Sequence, residues 1–413
     1  MDAPTILLIG TADTKSDELL YLRERMQFAG AKVLVMDVGV LEPGSFSPDI
    51  SNNDVAVAAG STIHVVKNAG DENKAMTLMA QGACTLAAQL QRDGLINGML
   101  ALGGTMGTDL ALDVAAALPL GFPKVVLSTV SYSHLIPPER ITPDLMMVLW
   151  AGGLYGLNSL CKSALSQAAG AVVGACLTAQ PPKATRPMVG MTSLGKSCLS
   201  YMTTLKPALE ARGYEVAVFH TTGMGGRAFE ALAAQGQFVA VMDFSLQELA
   251  NHLGGSCVTS GPDRLRGAGR AGVPQLVAPG AADMIDFPTW GVPPAGYEDA
   301  PAHAHNRLIA STTASADLRR QIAKEIASRL AEAKGPTCLL MPVNGVQAWD
   351  LPGEPLHDAA ALAAFVEAIH TQVAPAQLKA LPVHINDKAF CDAALTVFDE
   401  WVAQGLVPKG SAV

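Results

Sequence analysis

Residues 98–102, GMLAL, are an unbroken apolar run, and LALGGTMGTD at 100–109 carries that run through a loop toward a second apolar segment at 110–118. An apolar run with no polar alternation is what a strand buried on both faces requires, and 110–118 reads as a helix. The loop between them holds Gly103, Gly104 and Gly107, with hydroxyls on Thr105 and Thr108. Glycine lets the backbone turn tightly and come close to a ligand. The first amides of the helix that follows have no intrahelical partner. Strand, glycine loop and helix in this order give either a plain tight turn or a cradle for an anion, most often a phosphate. Both readings place the segment in an α/β sheet.

The chain begins with the same grammar. Residues 5–10 read as a buried strand, Ser16 as the cap of a helix with Asp17 and Glu18 in its first turn, Gly30 as its end, and 32–37 as the next strand. A β-α-β opening marks a doubly wound sheet, whose ligands lie beyond the carboxyl ends of the strands. Gly10, Thr11, Asp13, Thr14 and Lys15 stand at one such end, and 102–109 at another. If both strands share a sheet, the two loops meet over one ligand. Lys15 would neutralise phosphate charge, or is a solvated lysine in a first helical turn. Asp13 would hold Mg²⁺, or is a turn residue bonding its own backbone. A helix over 71–92 stops at Gly94, and the strand 124–129, KVVLST, brings Ser128 and Thr129 to the same crevice. The Pro-rich loop 131–144 has the length of a lid or binding loop. His134 within it is an acid/base group, a substrate contact or a surface residue. Residues 158–177 form a small-residue helix suited to a domain or dimer interface.

A length of 413 residues exceeds one ordinary core and suggests two domains of about 200 residues each. AQPPKATRP at 179–187 is the linker, which divides the chain into 1–178 and 188–413. The second half restarts with strands at 188–192, 215–220, 238–243, 275–278 and 337–341. Helices are expected at 198–212, 228–235, 314–333 and 359–373, with a last one after HIND. GMTSLGKS at 190–197 satisfies the Walker A spacing between a strand and a helix, and Asp243 ends a strand as a Walker B aspartate would. The strand before it is short, however, and nothing else of that machinery is recognisable. TTGMGGR at 221–227 offers Thr222, Gly223, Gly225, Gly226 and Arg227 as a second anion or substrate cradle, or as a strand-to-helix turn. Asp283 and Asp286 follow a strand end. His303, His305 and Asn306 lie together in a Pro-rich segment, an H-x-H pair without an identifiable third metal ligand.

Hydrophobic residues make up 49% of the chain and charged ones 16%, a globular balance. Net charge is −9 and no basic run occurs, which excludes the Lys/Arg stripe of a nucleic-acid binder. The seven cysteines are dispersed without C-x-x-C spacing, as in a reducing cytosol. MDAPTILLIG lacks the pattern of a signal peptide. The apolar stretch 145–157 is broken by Gly152, Gly153 and Gly156 and is too short to span a bilayer. A cytoplasmic protein without membrane attachment is expected.

IGTADTKSDEL, LALGGTMGTDLA, KVVLSTV, FHTTGMGGRAFE, TSGPDRLRGAGRAGVPQLVAPGAADMIDF, PVNGVQAWDLPGEPLHD and HIND together resemble one family. It is the uncharacterised family named for the Tm-one-like ATP-binding domain, after a plant antiviral resistance protein. The resemblance covers nearly the whole chain and rests most on the GPDRL…APGAADM run. It implies two Rossmann-like, doubly wound, mostly parallel α/β domains in tandem, a homodimer, and ATP binding in the N-terminal half. The sequence departs from the pattern at Tyr132, Ser133 and His134, and in carrying Gly195, Lys196 and Ser197.

The expectation is therefore a cytosolic protein using ATP and Mg²⁺ at the N-terminal loops. A small substrate would lie in an interdomain cleft faced by the 221–227 loop, Asp283, His303 and His305. If it is an enzyme, the reaction is phosphoryl or nucleotidyl transfer or activation of a carboxylate. The alternative is a nucleotide-stabilised binding module acting through a protein partner. A dinucleotide enzyme fits less well, because the first turn lacks G-x-G-x-x-G despite Asp37 at the end of the second strand.

Overall fold

Apolar runs are extended into strands by parallel pairing. The computed structural model describes residues 3–180, 182–183, 185–195, 198 and 200–411. They form two units, Met1–Lys183 and Ala184–Val413. In the first, the strands are β1 (Thr5–Gly10), β2 (Lys32–Asp37), β3 (Gly98–Gly103), β4 (Lys124–Ser128) and β5 (Leu145–Leu149). They pair in parallel in the order β2-β1-β3-β4-β5. Successive side chains of a strand point to opposite faces, so each strand feeds two cores. Ile6, Leu8, Leu100 and Val125 pack against α1 (Ala12–Phe28) and α6 (Ser159–Thr178). Leu7, Ile9, Met99 and Val126 pack against α2 (Asn52–Ala58), α4 (Glu72–Arg92) and α5 (Thr105–Ala117), with α3 (Ile63–Lys67) contributing Val66. Among the described residues α6 is the one helix long and apolar enough to cross a membrane; one of its faces packs against α1, β3 and β4.

From β1 the chain goes first to β2 on one side and then to β3 on the other. The order reverses between β1 and β3, and a doubly wound sheet opens its crevice at such a reversal.

The second unit repeats the plan. Its parallel strands are β6 (Met188–Ser193), β7 (Glu215–His220), β8 (Ala240–Asp243), β9 (Gln275–Val277), β13 (Thr337–Pro342) and β14 (Leu378–Leu381), in the order β14-β13-β9-β8-β6-β7. A small antiparallel sheet, β10 (Met284–Pro288), β11 (Ala302–Ala304) and β12 (Ile309–Thr313), is inserted between β9 and β13. The helices are α7 (Ser200–Glu210), α8 (Met224–Ala234), α9 (Gln247–Leu253), α10 (Gly267–Ala271), α11 (Ala316–Ala331), α12 (Ala359–Gln372) and α13 (Lys388–Ala403).

Three helix starts differ from the sequence reading by four residues or more. Helix α1 starts at Ala12 instead of after Ser16, with a break in helical geometry at Lys15 (φ −133°, ψ 26°). Ser16 is inside the helix, its hydroxyl donating to the Ala12 carbonyl at 2.5 Å. Helices α5 and α8 start five and four residues earlier than expected, so that Gly107, Thr108, Gly225, Gly226 and Arg227 lie in helical turns and not in loops. Strand β5 and helices α2 and α3 were not anticipated.

Candidate functional site

The turns after β1 and β3 do flank a single cavity, of about 330 Å³, at the reversal in the first sheet. Thr11, Asp13, Thr14 and Lys15 line it from the start of α1; Gly103, Gly104, Thr105 and Gly107 line it from the start of α5. Neither helix has a side-chain cap: Thr11 and Gly104 stand at the cap positions and make no capping hydrogen bond. The Thr11 and Thr14 hydroxyls bond each other at 2.9 Å. Asp13 accepts from the Leu41 amide at 2.9 Å. The Lys15 ammonium lies 5.0 Å from the Tyr155 ring centroid. Opposite the helix starts, Val38, Val40, Leu41, Met76 and Met79 form an apolar wall, with Glu72 beside it. None of this wall was singled out in the sequence, since its residues come from an ordinary loop and from one face of α4.

The glycines have different duties. A Cβ on Gly103 would lie 2.5 Å from the Gly107 Cα, and one on Gly10 would press into Leu19 and Leu102. These two serve packing, and Gly10 does not line the cavity. A Cβ on Gly104 would meet nothing closer than the Thr129 hydroxyl at 3.8 Å. Nothing in the fold requires glycine there.

Three expected contacts are placed elsewhere. Thr108 and Ser128 are buried and bond each other at 2.6 Å, so both hydroxyls are spent inside the fold. Thr129 borders Gly104 without lining the cavity. Asp37, the dinucleotide candidate, is buried, and its Oδ1 accepts from the Ala12 and Gly39 amides, both at 2.8 Å. Burial pushes its carboxyl above the usual range, against those two amides. It clasps the β1–α1 turn and does not line the cavity. The loop 131–144 is tied down: Arg140 pairs with Asp109 at 2.7 Å and Asp113 at 2.8 Å, and Asp144 with buried Lys124 at 2.7 Å. His134 is exposed on it, away from the cavity.

In the second unit the 221–227 cradle is filled by the chain itself. The Gly223 and Gly226 amides donate to Glu248 at 2.6 and 3.1 Å, and a Cβ on Gly226 would overlap that carboxyl. Gly225 instead passes against the His220 carbonyl, where a Cβ has no room. Arg227 faces a separate hollow with Glu230 and Arg266. Buried Arg264 ties Glu248 (3.0 Å) to Glu230 (2.8 Å) and Asp243 (2.5 Å). One guanidinium cannot hold three dry carboxylates ionised; burial pushes Glu230 up and Glu248 up to about 7. Asp243 also accepts from Thr192 at 2.8 Å, so it is not available as a Walker B metal ligand. Lys196 and Ser197 of the Walker A match lie outside the described residues. Asp283 is fully buried beside Arg319 and Gln347, and burial raises its carboxyl to about 6. It faces no cavity.

His303, His305 and Thr222 do come together, at a cavity of about 480 Å³ lined also by His220, Gln247, Asp286, Asn306 and Trp349. The two imidazoles are 5.1 Å apart and rest against the Trp349 ring at 4.9 and 4.7 Å. Among the described residues no three His, Cys, Asp or Glu side chains are grouped to hold a metal.

The profile described as Uncharacterised protein family (UPF0261) N-terminal domain matches residues 4–181, and its C-terminal domain counterpart matches 186–402. A UPF0261 protein of Brucella melitensis is 54% identical over 99% of this chain and 98% of its own. One from Clostridium tetani is 32% identical over 94% and 96%. The ToMV resistance protein Tm-1 of Solanum lycopersicum is 28% identical over 97% of this chain and 56% of its own length. Matched in both halves and along its length by such relatives, the chain belongs to the uncharacterised protein family UPF0261.

Proposed function

We propose that the N-terminal unit binds ATP with Mg²⁺ in the cavity at the β1–β3 reversal. One observation carries the reading: two helix starts without side-chain caps open on one cavity whose far wall is apolar. Free first-turn amides favour phosphate; Asp37 already takes the Ala12 amide of α1, so the start of α5 supplies most of them, and Lys15 adds positive charge. The wall of Val38, Leu41, Met76 and Met79 suits a flat base. Mg²⁺ is held through one or two carboxylates plus substrate phosphates, and Asp13 and Glu72 are the acids at hand. The ion would neutralise phosphate charge there.

With the nucleotide bound, the protein is a metabolic enzyme acting on a small molecule, or a binding module whose target is another protein. The tomato relative is by name a resistance protein, and this favours keeping the second reading. ATP consumption that depends on an added metabolite supports the enzyme; protection against heat without turnover supports the module. The family resemblance also leads us to expect a cytoplasmic homodimer, for which sedimentation velocity reads the mass. Isothermal titration of the full chain with ATP–Mg²⁺ and with NAD tests the site itself. ATP is expected to bind and NAD to leave no heat; the reverse result ends the proposal.

A further inference from the structure

The 480 Å³ cavity of the second unit contains a buried polar chain with one end left open. Asp286, at 1% exposure, accepts from the Ser311 hydroxyl, from Asn251 at 3.3 Å, and from the Gln247 amide. The Ser311 oxygen also lies 2.7 Å from His305 Nε2. Since the Ser311 proton is committed to Asp286, its oxygen accepts from His305, and Nε2 carries the hydrogen. The lone pair is then on Nδ1, which makes the imidazole an acceptor toward anything beside it. Burial, followed by the nearby His303, holds His305 below its usual range and so keeps it neutral.

Gln247 is the second, independent observation. Its side chain is 1% exposed and lines the same cavity. The amide nitrogen must face Asp286, because a carboxylate can only accept. That orientation leaves Gln247 Oε1 buried with no partner. An unpaired buried acceptor is destabilising, and a ligand donor would satisfy it.

The cavity is thus lined by two side chains with an acceptor to offer, Gln247 and His305, together with Trp349. Among the described lining residues there is no lysine or arginine. A carboxylate or phosphate lacks the donors that the two acceptors need, and offers Trp349 no apolar face. A neutral molecule with two or more hydroxyls and a flat C–H face meets both demands. We propose that this cavity binds a neutral polyhydroxylated small molecule, of the sugar or polyol class, with Gln247 and His305 accepting from its hydroxyls and Trp349 under its apolar face. The inference uses residues of the second unit alone and does not depend on the nucleotide site.

The test uses the full-length protein and saturation-transfer NMR with glycerol, xylitol, D-ribose, D-glucose and myo-inositol, each beside its fully O-methylated form. Citrate and inorganic phosphate serve as anionic probes. At least one free polyol is expected to bind at about 10 mM or below, while its methylated form, bulkier and without donors, does not. Gln247→Met and His305→Phe should each weaken that binding about ten-fold, with melting temperatures read alongside to separate lost contacts from lost fold. No binding by any of the five, equal binding of the methylated form, or binding by the anions alone would overturn the proposal. The methylated comparison is made on the unaltered protein, so it decides even if both variants unfold.

Discussion

Gly104 is the residue on which the nucleotide proposal can be tested most cleanly. Its site has room for a Cβ, with the nearest atom 3.8 Å away, and its φ of −75° suits any residue. Gly104→Val should therefore fold with an unchanged melting temperature and lose ATP affinity by about ten-fold or more; unchanged affinity in a titration would count against the cavity. Gly103→Ala, by contrast, would drive a methyl to 2.5 Å from Gly107, and the expected result is a fall in stability. Asp286 gives a pH signature. Burial raises its carboxyl from 3.8 to about 6, so between these values the folded chain holds more proton than the unfolded one. Stability from this group is present below pH ~4 and lost as pH rises through ~6, by about 3 kcal/mol at most. Asp283 adds a parallel slope, its carboxyl also standing at about 6. The measurement is thus the difference in melting curves between wild type and Asp286→Asn, which should show a flatter profile over that window.

At the level of elements, strands were legible where the chain alternates between two cores. The segments 5–10, 32–37 and 215–220 each hold a continuous apolar run, at 6–9, 33–36 and 216–219, and each is a strand within those limits. Helix starts were not legible at α5 and α8, because glycine is a poor helix former and its clusters read as loops. Tertiary contact overrides that preference: a Cβ on Gly107 would lie 3.2 Å from the Leu102 carbonyl, and Cβ atoms on Gly225 and Gly226 would have no room against the His220 carbonyl and Glu248. The glycines are there so that helix and strand can approach, which a sequence does not distinguish from a flexible loop. The two site loops were identified by position, but the apolar wall on α4 and the Asp286–Ser311–His305 chain were not. The latter joins residues 25 apart across an antiparallel pair that nothing in the local pattern announces. One element depends on a single side chain. Asp37 joins the end of β2 to the first turn of α1, and Asp37→Ala would orphan the Ala12 and Gly39 amides. A loss of about 3 kcal/mol is expected from two such bonds, measured by denaturant unfolding.

On the scale of the whole molecule, the two units share a winding rule but use their glycine-rich helix starts differently. The crevice of the first is lined by uncapped helix starts. In the second, Glu248 sits on the start of α8 and Arg264 joins it to Asp243 and Glu230. That internal plug has an arithmetical consequence. A tandem of two alike sheets suggests a double load, yet a triphosphate at α8 would have to evict a carboxyl already seated on the same amides. Calorimetric saturation should end at one equivalent per polypeptide, and a reading of two would mean that Glu248 swings aside.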